Sequence, residues 1–426
     1  MSPTLVQSLA LAVFIIAIIH TFSVKLFKSL AQKFRRYHNI FEMLGEVEIV
    51  FGFWAIVLVL IIFFVIGKTE TFNYLNNQSY VEPLFVFVIM VIAASKPILD
   101  FSLTCVKQIS RLLPLNKSVS LFLITMSFVP LLGSFITEPA AMTLSALILR
   151  DHFYSKKISS KFKYAIIGTL FVNVSIGGAM TPFAAPPILM VAAKWNWDLN
   201  FMINTFAWRT VLAVFINSII LTFLFRNELT KLGESKIRTI KIPSFILILH
   251  LILLLGVIFF VHDLIIFLGI FLIFLAVANA FDQYQDKLII NQAFLVSLFL
   301  AGLVVLGGQQ KWWLQIVLAK LTPDQIYYVA TALTAVTDNA ALTYLASLVD
   351  GLSDQFKYAI AAGAITGGGL TVIANAPNPA GYSILNKKFS GNVISPLYLF
   401  LSALGPTVVA IICYKIYKDT KNFSNT

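Results

Sequence analysis

The chain is a succession of long apolar runs separated by short basic or polar connections. Runs long enough to cross about 30 Å of hydrocarbon fall at 5–24, 44–66, 81–100, 164–193, 206–225, 243–261, 264–280, 291–308, 356–384 and 394–414. They are unbroken rather than alternating, which argues for spanning helices and against a β-barrel. Two further apolar stretches, 118–150 and 324–349, are interrupted near the middle by GSFITEPAA (133–141) and TAVTDNAA (334–341). Non-helical backbone at membrane depth is tolerated only where it is buried in protein or lines a cavity. Each stretch therefore reads as a re-entrant hairpin of two half-length helices, with a single polar-kinked helix as the plainer alternative.

An internal repeat organises these elements. TEPAAMTLSAL at 137–147 aligns without gaps on TDNAALTYLAS at 337–347, with Glu138 falling on Asp338. Downstream of each, FKYAI recurs at 162–166 and 356–360, and GGAMTPFAAPP (177–187) echoes GGGLTVIANAPNP (367–379). Three matches in one order define two halves, 1–230 and 231–426. The first carries the hairpin 118–150 and the broken helix 164–193; the second carries the hairpin 324–349 and the broken helix 356–384. Five crossings plus one hairpin per half make the second half enter the membrane inverted, the plan of secondary transporters. The expected fold class is an all-α polytopic membrane protein of two inverted-topology repeats, with discontinuous helices at the site.

An ionisable group at mid-membrane is a functional hypothesis by default. Glu138 and Asp338 stand at the two hairpin breaks with no basic residue beside them in sequence. Out of water, such a carboxyl can hold a proton or a cation but not both, which is the minimum needed for cation/proton exchange. A structural ion pair with a distant lysine is the competing reading. Neutral oxygen donors suited to a hard cation surround the acids: Thr137 and Thr143 in the first half, Thr337, Asn339 and Thr343 in the second. Asp338 and Asn339 are the candidate sodium ligands. Gly177, Gly178 and Pro182, and Gly367, Gly368, Gly369 and Pro377, are poor helix interior and predict unwound segments. Asn173, Ser175, Thr181, Thr366, Thr371, Asn375 and Asn378 would supply polar groups there, although single Ser and Thr residues also bond back to their own helix.

Composition agrees with a membrane solvent. Hydrophobic residues make up 59% and charged residues 12%, with a mean hydropathy of +0.87, whereas soluble domains carry about 25% charged residues. This excludes a secreted enzyme, a nucleic-acid-binding module and a disordered scaffold. The net charge of +12 invites a nucleic-acid reading, but the positive-inside rule accounts for it. With the 25–41 loop in the cytoplasm and alternating spans, most of the 31 Lys and Arg fall on the cytoplasmic side. The first hairpin then opens to the cytoplasm and the second to the opposite face, where both termini also lie, including Lys415, Lys418 and Lys421. The start, MSPTLVQSLALAVFIIAIIHTF, reads as a retained helix rather than a signal peptide.

Other polar residues carry weaker signals. Glu42, Glu46 and Glu48 open the second span and either mark an interface or serve the site. His20, His250 and His262 show no metal spacing, and Cys105 and Cys413 read as packing residues. Lys96 and Asp100 are placed to pair or snorkel, and Asn217 and Asn279 to bond between helices. There is no GxxxxGK[ST], so transport is not driven by this chain's own ATP hydrolysis. The expectation is a transporter rather than an enzyme, without cofactor, whose partners are the lipid bilayer, monovalent cations and protons.

NVSIGGAMTPFAAPPILM (173–190) resembles the N-I-G-G-x-x-T-x-x-G-x-P-P signature of the ion transporter superfamily, and TDNAAL (337–342) its Asp-Asn hairpin tip. That group includes NhaD-type sodium/proton antiporters, ArsB-like arsenite permeases and divalent-anion/sodium symporters. The resemblance runs from about residue 80 to 415 and is similar above all to bacterial sodium/proton antiporters. It implies a scaffold and a transport domain per protomer, a homodimer, elevator-type movement and an inner-membrane location. Two departures matter: Thr-Glu-Pro stands at 137–139 where Asp-Asn is usual, and Phe183-Ala184-Ala185 lacks the usual Gly. The symporters carry Ser-Asn-Thr at their tips, so acids there favour a cation. The leading expectation is exchange of sodium or lithium for protons. A sodium- or proton-coupled carrier of a small anion or arsenite is the alternative, and a passive channel or scaffold a third.

Overall fold

The computed structural model describes residues 4–232 and 242–416. Among these, all regular structure is helical. The first segment comprises α1 (Leu5–Phe22), α2 (Val24–Lys33), α3 (His38–Leu44), α4 (Val47–Ile66), α5 (Lys68–Asn76), α6 (Val81–Ala93) and α7 (Lys96–Leu112). Next come α8 (Lys117–Ile136), α9 (Glu138–Leu149), α10 (Ser160–Gly177), α11 (Pro186–Trp195), α12 (Leu199–Met202), α13 (Trp208–Leu224) and α14 (Arg226–Lys231). Beyond the undescribed 233–241 lie α15 (Ser244–Phe259), α16 (Leu264–Ala280), α17 (Ile290–Gly307) and α18 (Lys311–Leu318). The last are α19 (Pro323–Thr334), α20 (Asn339–Ser347), α21 (Asp354–Gly367), α22 (Asn378–Leu385) and α23 (Pro396–Lys415).

Seven helices are long and apolar enough to cross a membrane on their own, or eight if the bent pair α5–α6 counts as one span. That is fewer than the ten spans expected, for identifiable reasons. The run 356–384 is cut in two by its Gly and Pro residues, and α15 and α16 are only 16 and 17 residues long, whereas α8, expected as half of a hairpin, has 20 residues and is itself among the seven. The run 81–100 ends as helix at Ala93, and Lys96 and Pro97 open the separate helix α7. Pro at the first turns of α7, α11 and α19 fits helix starts that leave an N–H unused. Lys418 and Lys421 lie outside the described residues, and the join between the two proposed halves, at 230/231, falls at the end of α14.

The interior is built from α10, which packs on α8, α13 and α23, and from α17, which packs on α4 and α6. α10 is nearly all buried, whereas α1, α4, α15 and α23 expose large apolar side chains such as Phe64, Phe259 and Ile412. Exposed apolar faces of this kind are what a lipid solvent requires. Three polar residues hold α10 in place: Asn173 donates to the Met126 carbonyl (2.9 Å) and to Ser218 Oγ (3.1 Å), and Asn217 donates to Asn173 Oδ1 (2.9 Å). Ser218 Oγ also donates to Met126 (2.8 Å).

Candidate functional site

Each interrupted stretch breaks where its acid stands. In the first, α8 runs to Ile136 and Thr137 turns the chain with φ +75°, ψ +151°. That region is costly for a side-chain-bearing residue, at about 1–3 kcal/mol. It lets α9 fold back along α8 with Glu138 as its first residue. In the second, α19 ends at Thr334 and Asp338 caps α20, accepting from the amides of Ala340 (2.8 Å) and Ala341 (3.4 Å). Here α19 lies along α21 while α20 lies along α11, so the two diverge from the break instead of running side by side. Both carboxyls therefore sit at N-termini of short helices, where the backbone dipole favours negative charge.

The two broken helices unwind where the glycines predict. α10 ends at Gly177 and α11 starts at Pro186; α21 ends at Gly367 and α22 starts at Asn378. Each unwound strand is tied to the neighbouring acid-bearing break by one threonine. Thr181 Oγ1 donates to the Ser134 carbonyl (2.7 Å), and Thr371 Oγ1 to the Ala335 carbonyl (2.8 Å). Ser134, which sequence reasoning passed over, adds two more ties: its hydroxyl donates to the Gly177 carbonyl (2.7 Å) and accepts from Met180 N–H (2.9 Å). Its position inside 133–141 was the available signal.

The two acids meet at the second unwound segment. Asn375 Nδ2 donates to Glu138 Oε2 (2.8 Å), and the backbone of the next residue, Ala376, lies beside the Asp338 carboxyl. Adjacent residues thus contact both carboxyls, which are close enough for their charges to interact. Gly178 lies against the Glu138 carboxyl, so closely that a Cβ there would sit 2.5 Å from Oε1. Gly368 plays the corresponding part, with its backbone against Ser175 Oγ and Asn339 Nδ2. Asn378 Nδ2 holds the unwound strand in shape through the carbonyls of Gly368 (2.7 Å) and Thr371 (2.8 Å).

Several buried polar atoms around this meeting point are unpaired: the oxygens Glu138 Oε1, Thr137 Oγ1, Asn339 Oδ1, Asn375 Oδ1 and Asn378 Oδ1, and one donor, Asn339 Nδ2. Glu138, Asn339 and Asn378 are 0% exposed, whereas Asp338 is half-buried. Buried polar atoms are normally paired, so a group of oxygens left open beside two carboxyls fits a desolvated cation.

The remaining sequence candidates fall elsewhere. Asn173 is committed to the α8–α10–α13 network and does not reach the acids; the spacing that put it one turn before Gly177 said nothing of which face it takes. Ser175 donates to the Ile365 carbonyl (2.7 Å), joining the two broken helices rather than offering a free ligand. Thr337 and Thr343 bond back within their own segments, to Leu333 (3.0 Å) and Ala340 (3.2 Å). Pro182 is half-buried and Gly177, Gly367, Gly369 and Pro377 are buried, all on the unwound strands or at their edges. Glu48, in the first turn of α4, exerts its charge on Asp338. No cluster of three His, Cys, Asp or Glu suited to a metal occurs among the described residues.

Long apolar helices, cut by two unwound strands that meet around carboxyls, define a multi-pass helical membrane protein of the transporter class. The chain belongs to the family described as putative Na+/H+ antiporter, whose profile matches residues 5–417. A search of curated proteins finds no match.

Proposed function

We propose that the chain exchanges sodium or lithium for protons by competition at Glu138 and Asp338. The observation that carries this reading is the donor-poor set of buried oxygens around two carboxyls bridged by residues 375–376. A cation would take Glu138 Oε1, Asp338, and the carbonyl-type oxygens of Asn339, Asn375 and Asn378. A proton on either carboxyl removes the charge that holds the cation, so loading one ion expels the other.

We also read the chain as two inverted repeats, 1–230 and 231–426, joined as a homodimer in a bacterial inner membrane and working by elevator-type movement. Reciprocal packing supports the repeat: α9 of the first half lies on α22 of the second, and α20 of the second lies on α11 of the first. The matched ties from Thr181 and Thr371 support it further. On this plan the chain is a relative of the NhaD-type and ArsB-like transporters, with the acids selecting a cation.

The test uses everted vesicles with an imposed pH gradient. Sodium should collapse the gradient, and the half-saturating sodium concentration should rise as pH falls, because protons compete for the same carboxyls. An affinity independent of pH from about 6 to 9, across the range of a shifted carboxyl, would defeat direct competition. Accumulation of a labelled oxyanion without gradient collapse would move the assignment to an anion carrier.

A further inference from the structure

A cavity of about 680 Å³ opens between α6, α11, α12 and the end of α15. Its lining takes in helix ends and the turns beside them: the start of α6, residues 196–199, and residues 258–262. Glu82, Asp198 and His262 stand in its walls, and no Lys or Arg is among its described lining residues. Leu189, Ile258 and Val261 supply apolar wall between them. The lining also includes Pro182 and Phe183, on the same unwound strand as Gly178, whose backbone abuts Glu138. Cavity and carboxyl site thus share one unwound segment, with Gly178 and Pro182 four positions apart.

Both acids keep capacity to attract a cation. Glu82 accepts one bond from Ser79 Oγ (2.8 Å), and Asp198 accepts one from the Phe201 amide through Oδ1 (2.7 Å). Acids in a cleft with low-dielectric walls focus field lines and raise the local concentration of cations, with on-rates gaining about 10–10³-fold. Lys194, although on α11, has its charge interacting with Asp350 and Lys311 instead.

We propose that this cavity is the vestibule through which sodium and protons reach the carboxyl site from one face of the membrane. Glu82 and Asp198 concentrate cations at its mouth, and Phe183 forms the inner constriction at the break. The assignment rests on the exchange reading above. Glu48, acting on Asp338 from the end of α4 opposite the turn into α5, belongs to the other approach.

The experiment uses the full chain in proteoliposomes, with Cys105→Ala and Cys413→Ala as background and Ala193→Cys in the cavity wall. Before labelling, the variant should exchange sodium for protons. A membrane-impermeant cationic thiol reagent should then label position 193 from one side only and cut exchange at least tenfold. Independently, Glu82→Gln with Asp198→Asn should raise the half-saturating sodium concentration about 3–10-fold at low ionic strength, within the range of electrostatic steering. The maximal rate should be unchanged, and the effect should vanish in about 0.3 M choline chloride, where charges are screened. Full labelling with unchanged exchange, no labelling from either side, or a defect indifferent to salt would overturn the vestibule while leaving exchange intact. Failure of the unlabelled background to exchange at all would instead defeat the exchange reading and take the vestibule with it.

Discussion

Replacing Gly178 by alanine would drive a methyl group into the carboxyl of Glu138. The new Cβ would lie 2.5 Å from Cγ and Oε1 and 2.9 Å from Cδ. Carbon contacts settle at about 3.5–4.0 Å, so the carboxyl must retreat by about 1 Å. Glu138 is 0% exposed, so it has no solvent to move into, and its 2.8 Å bond from Asn375 moves with it. A hydrogen bond to a charged group contributes about 1.5–3 kcal/mol, which is about 10–150-fold in affinity. The half-saturating sodium concentration of Gly178→Ala should therefore rise by that factor. The backbone itself tolerates alanine, because Gly178 has φ −74°, so the protein should still fold. Gly405→Ala is the control: it lies inside α23 with nothing within 4 Å of a new Cβ. Both variants would be assayed by sodium-induced collapse of a pH gradient, with folding checked by gel filtration in detergent. Sodium dependence of Gly178→Ala within threefold of the parent would refute the placement of the Glu138 carboxyl in the ion site.

Other perturbations separate chemistry from architecture. Asp338→Asn should fold, because asparagine caps a helix as well as aspartate, yet show no exchange at any pH; residual proton flux driven by sodium would exclude Asp338 as the titrating group. Asn173→Ala should lower the melting temperature by several degrees through loss of its buried network, about 1–3 kcal/mol for the groups left unpaired, with sodium affinity unchanged. A shift in affinity there would return Asn173 to the ion site. Gly367→Ala pushes a methyl group onto the Thr331 backbone carbonyl, an overpacking of about 1–3 kcal/mol, so its yield of folded protein should fall well below that of Gly178→Ala. Thr137→Gly should relieve the strained turn and hold or raise thermal stability, and a loss of stability would contradict the strain.

The breaks were legible because a proline, a glycine pair or an acid inside an apolar run has no other comfortable explanation. Thr137–Glu138 and Asp338–Asn339 fall within the interrupted segments, and both broken helices unwind at their glycines. The tertiary partners were not legible. Asn173 and Asn375 look alike in sequence, each beside a Gly-rich break, but one bonds helices together and the other reaches Glu138. Residues 96–100 read as the end of the span 81–100 and 101–112 as no span, because α7 is amphipathic, with its polar positions breaking the apolar run. Glu46 and Glu48 point to different helix faces, and only the fold determines which of them acts on Asp338.

The bond between Asn375 and Glu138 joins residues 237 positions apart. A ribosome adding about 5–20 residues per second needs about 12–50 s to make the asparagine after the acid has been synthesised. For that interval the nascent first half holds a carboxyl whose only described donor does not yet exist. The reciprocal packing extends the delay, since α9 waits for α22, and α11 waits for α20. The Asn173 network can close within the first 218 residues, but the Glu138 site stays unfinished until nearly the whole chain has entered the membrane.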